Sequence, residues 1–126
     1  MRAAKRILVV EDDADLRRFF RMALSIAGYH VEEAGDGLEA LQLVENHPPD
    51  LVVLDLLLRS LDGLSVQQEL ASRALTRRIP IVIVTGSDLD TRGLEVACVL
   101  RKPISPDELV RTVRQCLRGG APAAGA

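Results

Sequence analysis

Tryptophan is absent from this 126-residue chain, and Phe19, Phe20 and Tyr29 are its only aromatic residues. Nucleic-acid binders combine clustered basic residues with aromatic platforms. Here 16 basic residues are scattered among 18 acidic ones for a formal net charge of −2, so no direct nucleic-acid contact is expected. Cysteine is scarce too. Cys98 and Cys116 have neither a C-x-x-C spacing nor a clustered histidine, which argues against zinc or a disulfide; they read as small buried hydrophobes in a reducing compartment. No apolar run approaches the roughly 20 residues of a membrane span, and the first six residues lead into a short strand rather than the core of a signal peptide. The expectation is a soluble cytoplasmic protein with no membrane contact. With 48% apolar residues, the chain suits one domain around one core.

Against this background two acidic groups stand out, each at the end of an apolar run. Ile7-Leu8-Val9-Val10 leads into Glu11-Asp12-Asp13, and Leu51-Val52-Val53-Leu54 into Asp55. Aspartate disfavours strand interiors and is costly to bury unpaired, so acids gathered at the edge of a core need a cation, a proton or a lysine beside them. A divalent metal site is the natural inference.

Strand-type and helix-type periods alternate along the chain. Arg6 to Val10 reads as a strand. Leu16, Phe19, Phe20, Ala23, Leu24 and Ala27 then recur at helical spacing, leaving Arg17, Arg18 and Arg21 outside, and Gly28 closes that helix. His30 to Ala34 is a polar strand suited to a sheet edge; Gly35-Asp36-Gly37 turns into a second helix over 38–46, which His47-Pro48-Pro49 stops. Asp50 to Leu54 is apolar enough for a central parallel strand, and a third helix follows Asp62-Gly63 to about Ala74. Ile79 to Val84 and Cys98 to Arg101 are the last strands. Ser105-Pro106-Asp107-Glu108 opens a final helix with Leu109, Val110, Val113, Cys116 and Leu117 inward. Residues 1–118 form the expected domain, and the Gly/Ala/Pro stretch 119–126 a disordered tail.

This alternation implies an α/β fold, doubly wound, with right-handed crossovers and helices on both faces of a parallel sheet. In such sheets the site lies beyond the carboxyl ends of the strands. Those ends carry Glu11 and Asp12, Asp55, Thr85 and Lys102. Glu11, Asp12 and Asp55 supply a few hard oxygen ligands, which suits Mg²⁺. Asp55 would be a nucleophile toward a phosphoryl group, Mg²⁺ and Lys102 would neutralise the equatorial oxygens, and the Thr85 hydroxyl would donate to one of them. Taken singly each has a blander reading. Glu11, Asp12 and Asp13 could be acids at a helix start, Asp13 being assigned that way; Thr85 could be a cap and Lys102 a solvated charge. Their joint appearance decides for chemistry, and that chemistry needs the four charged groups together and Asp55 within reach of solvent.

Ile7-Leu8-Val9-Val10-Glu11-Asp12, Leu54-Asp55, Leu61-Asp62-Gly63, Val84-Thr85-Gly86 and Lys102-Pro103 together resemble the receiver domain of two-component response regulators, over residues 6–118. The resemblance implies a flavodoxin-like, five-stranded sheet in the order 2-1-3-4-5. It implies a phosphoryl group taken from a histidine kinase or histidine phosphotransfer protein onto Asp55 with Mg²⁺. Glu11 and Asp12 would be the acidic metal pair, Thr85 the switch hydroxyl and Lys102 the conserved-type lysine, with Leu57 lending a main-chain carbonyl to the metal. It further implies a cis Lys102–Pro103 bond and an output by protein contacts in trans, to an unknown target or a second copy of the chain. On this reading the protein is a stand-alone, self-phosphorylating switch rather than a turnover enzyme.

The chain departs from that pattern in three places. Only 16 residues, Gly86 to Arg101, separate Thr85 from Lys102, so the family's fourth helix is expected to be at most a stunted element over Asp88–Leu94. Val99 stands where the family usually keeps an aromatic switch residue, so output is expected to leave by another surface, such as the loop after Asp55. Leu57 and Ser87 occupy positions that tune attack of water on the acyl phosphate; an apolar Leu57 cannot orient a water, and a long-lived phosphorylated state follows. Two other folds with this sheet type fit less well: a haloacid-dehalogenase-like phosphohydrolase wants an acid or base where Leu57 stands, and a flavin or dinucleotide protein wants a G-x-G-x-x-G after the first strand. The closer rival is a degenerate receiver that works as a constitutive dimerisation or docking module.

Overall fold

The computed structural model describes residues 3–58, 62–86 and 90–119. Leu61, Ser87, Asp88, Leu89 and most of the expected tail lie outside the described residues. Strands β1 (Arg6–Val10), β2 (His30–Ala34), β3 (Leu51–Leu54), β4 (Ile81–Thr85) and β5 (Cys98–Arg101) alternate with helices α1 (Ala14–Ile26), α2 (Gly37–Asn46), α3 (Gly63–Ser72) and α4 (Pro106–Leu117). All strand pairs are parallel, in the order β2-β1-β3-β4-β5, as the sequence predicts.

The central strands carry no polar side because both faces are covered. Leu8, Val10, Val52, Leu54, Ile81 and Ile83 point into one apolar cluster with Ala40, Val44, Val66 and Leu70 of α2 and α3. Ile7, Val9, Leu51, Val53, Val82 and Val84 point into the other, with Phe20 and Leu24 of α1 and Leu109, Val113 and Cys116 of α4. Cys98 and Cys116 are free thiols, Cys116 buried and Cys98 partly so.

Each helix start is tied down locally. The Asp13 carboxylate caps α1 by accepting from the Asp15 and Leu16 N–H groups at 3.0 and 3.1 Å; Asp36, Asp62 and Ser105 cap α2, α3 and α4 in the same way. Gly28, at φ 103°, closes α1 in the left-handed region. Three expectations shift. α3 ends at Ser72 rather than near Ala74, because Thr76 folds back and donates its hydroxyl to the Leu70 carbonyl at 2.7 Å. β4 begins at Ile81 rather than Ile79, whose N–H is taken by Thr76 in the preceding turn at 2.9 Å. Between β4 and β5, the described residues 90–97 hold a turn and no helix. Among the described residues no helix is long and apolar enough to cross a membrane.

Candidate functional site

Register alone brings the acids together. Val10 pairs with Leu54 across β1 and β3, so the residues that follow, Glu11 and Asp55, leave the sheet side by side, with the Asp55 N–H donating to the Val10 carbonyl at 3.0 Å. One carboxylate oxygen from each of Glu11, Asp12 and Asp55 lies within 4.8 Å of the others. Lys102 arrives from the end of β5. Its Nζ donates to Glu11 Oε1 at 2.6 Å and to Asp55 Oδ2 at 3.1 Å. The remaining Asp55 oxygen, Oδ1, accepts the Leu57 N–H at 3.1 Å, and Glu11 Oε2 accepts the Asp13 N–H at 3.3 Å.

The electrostatics follow from that crowding. Burial pushes the Glu11 carboxyl up to about 7, the Asp55 charge adds to the push, and the hydrogen bond and charge of Lys102 oppose it. For Lys102 burial alone would lower the ammonium, but the hydrogen bonds and charges of Glu11 and Asp55 outweigh it and hold it above its ordinary value. Three carboxylates against one ammonium leave an excess of negative charge on hard oxygen donors. That donor set, with two of its members buried, fits a small divalent cation such as Mg²⁺.

The structure thus gathers Glu11, Asp12, Asp55 and Lys102, four of the residues singled out in the sequence. Thr85 stands at the end of β4, fully buried, and its carbonyl accepts the Lys102 N–H at 2.9 Å. Leu57 sits in the bend after β3 and is 61% exposed. The Lys102–Pro103 bond is cis. Asp55 departs from expectation: it is only 4% exposed, with Lys102 Nζ seated on its Oδ2, and Lys102 itself keeps a quarter of its side chain in solvent (24%).

Three residues, Gly63, Arg17 and Arg21, matter here in ways the sequence did not signal. Gly63, readable only as a turn glycine, opens α3 so close to β3 that a Cβ would meet the Asp55 carbonyl oxygen at 2.3 Å and Leu56 Cα at 2.4 Å. Arg17 and Arg21 do not simply face solvent as helical periodicity suggested. Both reach Glu33 of β2, at 3.2 and 2.9 Å, and Arg17 also donates to the Glu11 carbonyl at 2.8 Å. An acid on the polar strand His30–Ala34 was the only available hint.

A profile of the response regulator receiver domain matches residues 7–114. The chain belongs to the response regulator receiver family. It is 42% identical over 125 residues to the response regulator MprA of Mycobacterium sp. (strain KMS), covering 95% of this chain and 54% of that protein. It is 43% identical over 119 residues to the ycf27 protein of Porphyridium aerugineum, named a probable transcriptional regulator, covering 90% of this chain and 48% of that one. The receiver therefore spans about half the length of the curated relatives it matches. The solved receiver domain of the Francisella response regulator 1452 superposes with a TM-score of 0.82 at 28% identity, over 91% of this chain and 98% of the other. Membership in this family places the chain in a two-component system.

Proposed function

We propose that this receiver takes a phosphoryl group onto Asp55 from a phosphohistidine on a sensor histidine kinase or histidine phosphotransfer protein, and signals by protein contacts in the cytoplasm. The observation that carries this reading is the Asp55 carboxylate at the end of β3, with Glu11 and Asp12 oxygens within 4.8 Å and Lys102 Nζ at 3.1 Å. An Asp55 oxygen forms the new P–O bond as the P–N bond to the donor imidazole breaks, and the imidazole leaves with the bonding pair and takes up a proton. Glu11, Asp12 and Asp55 would hold Mg²⁺, with the Leu57 main-chain carbonyl as a further ligand. That ion, when bound, neutralises charge on the transferring group. Lys102 exchanges its carboxylate contacts for phosphoryl oxygens, which also uncovers Asp55, and the Thr85 hydroxyl donates to another of them. The protein acts once per phosphoryl group, as a switch rather than a turnover enzyme. A protein donor suits the surroundings, since Leu38 at the start of α2 and Leu57 after β3 are exposed apolar residues (56% and 61%) at the same end of the sheet.

A second reading, a docking module that works without phosphorylation, is favoured by the missing helix over described residues 90–97 and by the burial of Asp55. Incubation with Mg²⁺ and a small-molecule phosphodonor separates the two. The expected result is a mass gain of one PO₃ unit, abolished in Asp55→Asn and by chelation, and decaying slowly because Leu57 offers no group to orient water. No gain in the unsubstituted protein supports the docking module instead.

A further inference from the structure

Resting on the receiver reading above, we propose that Arg17 is a positioning residue for the Glu11–Asp12 turn, and through it for the divalent ion those acids would hold. Its guanidinium uses separate nitrogens for separate tasks. Nη1 donates to the Glu11 main-chain carbonyl at 2.8 Å, while Nε donates to Glu33 Oε1 at 3.2 Å. Glu33 is fixed from its other side by Arg21, whose Nε lies 2.9 Å from Oε2. An ordinary surface ion pair between Arg17 and Glu33 would contribute little. The contact with Glu11 is different in kind, because it reaches the backbone between two candidate metal ligands.

The chain leaves β1 at Glu11, which is 2% exposed, and α1 begins at Ala14. In that short connection the Glu11 N–H is taken by the Ala34 carbonyl at 3.1 Å, so β2 fixes one side of the residue. Glu11 is buried, and a buried carbonyl needs a donor. Arg17 supplies one. That carbonyl shares its peptide plane with the Asp12 N–H, so holding it sets the direction from which both the Glu11 and the Asp12 side chains depart. Neighbouring residues leave the guanidinium room. A Cβ on Gly35 would stand 3.3 Å from Nη1, tighter than ordinary contact, so the bare glycine backbone forms one wall of its seat. Lysine could not replace arginine fully, because one ammonium cannot serve the Glu11 carbonyl and the Glu33 carboxylate with the fork geometry that a guanidinium provides. Groups of this kind, which orient ligands without touching the ion, typically change metal affinity by about 10–100-fold when removed.

The test is a Mg²⁺ titration by NMR of the unsubstituted chain and of Arg17→Ala, Arg17→Lys and Arg21→Ala, with thermal unfolding recorded on each. The Glu11 carbonyl ¹³C shift is read first without metal. The expected result is a Mg²⁺ affinity lowered about tenfold or more in Arg17→Ala and less in Arg17→Lys. The Glu11 carbonyl shift should move in Arg17→Ala, while Arg21→Ala, which removes the cation beside Glu33 but leaves the Glu11 contact, should leave that shift in place and keep its Mg²⁺ affinity within about twofold of the parent. Equal Mg²⁺ affinity in Arg17→Ala and the parent overturns the inference, as does an equal loss in Arg21→Ala. Should Arg17→Ala fail to fold, Arg17→Lys is judged by the same two readings. If the parent protein binds no Mg²⁺, the receiver reading loses its ion, whereas the positioning of the turn is still decided by the metal-free spectra: an unmoved Glu11 carbonyl overturns it.

Discussion

At the scale of single residues, the acid cluster is a competition over which group neutralises Glu11. Burial pushes its carboxyl from 4.5 up to about 7, so the folded chain holds that proton more tightly than the unfolded one. The linked contribution to stability is therefore fully present below the ordinary carboxylate range, and is lost as pH rises through about 7. A divalent cation reverses the preference, because it binds the ionised carboxylate and must displace the proton. Mg²⁺ affinity should accordingly rise as pH increases toward about 7 and level off above it; between about pH 6 and pH 8 we expect about a tenfold gain, measured by calorimetric titration. An affinity flat across that interval would show that Glu11 is ionised throughout or is not a ligand. The residues of this cluster were legible because each ends an apolar run, where a charge has no structural excuse. Arg17 was not legible for the opposite reason. Helical periodicity says which face is polar, but not that a long side chain on it folds back to a carbonyl six residues earlier.

At the scale of elements, the approach of α3 to the β3 loop depends on a missing side chain. The Gly63 N–H donates to the Leu56 carbonyl at 3.0 Å, and a Cβ there would press on backbone atoms of Asp55 and Leu56, which cannot swing away as a side-chain tip would. Gly63→Ala should therefore displace the start of α3 or the bend after Asp55, with a loss of roughly 1–3 kcal/mol. Gly86 gives the contrast. A Cβ at that position would meet Lys102 carbons only at 3.9 Å, so Gly86→Ala should stay within about 0.5 kcal/mol of the parent. Denaturant midpoints at unchanged slope decide this, and equal losses in both variants would refute the steric account. Element type was written in the sequence through period and caps: Asp13, Asp36, Asp62 and Ser105 each precede a helix and cap it. Element ends were less plain. The Thr76 hydroxyl turning back to Leu70, and Ile79 spent on a turn, are choices made by local hydrogen bonds that apolar spacing does not register.

At the scale of the whole molecule, the sheet separates two cores, and the question is which layer feels a change at Asp55. Val99 of β5 packs, partly buried, against the α2–α3 core, together with Val96 from a connection that holds no helix over 90–97. No aromatic side chain stands there to swing between two positions. By contrast α3 is tied to the bend after the candidate phosphoacceptor by a main-chain bond, Gly63 N–H to the Leu56 carbonyl, and the Asp62 side chain caps the helix on the Ser65 N–H at 2.8 Å. A displacement of the Asp55–Leu57 bend is therefore passed to the α3 backbone within one residue, whereas Val99 lies further off, reached back along β5 from the Lys102 contact with Asp55 or across the β3–β4–β5 ladder. On adding Mg²⁺ with a phosphoryl mimic, the amide shift changes beyond the acid cluster itself should be largest over 56–72 and small over Cys98–Leu100. The sheet order makes the comparison fair, since β3 and β5 lie on either side of β4. Changes confined to residues 90–100, with α3 silent, would mean that the shortened connection still carries the signal and that the backbone tie at Gly63 serves packing alone.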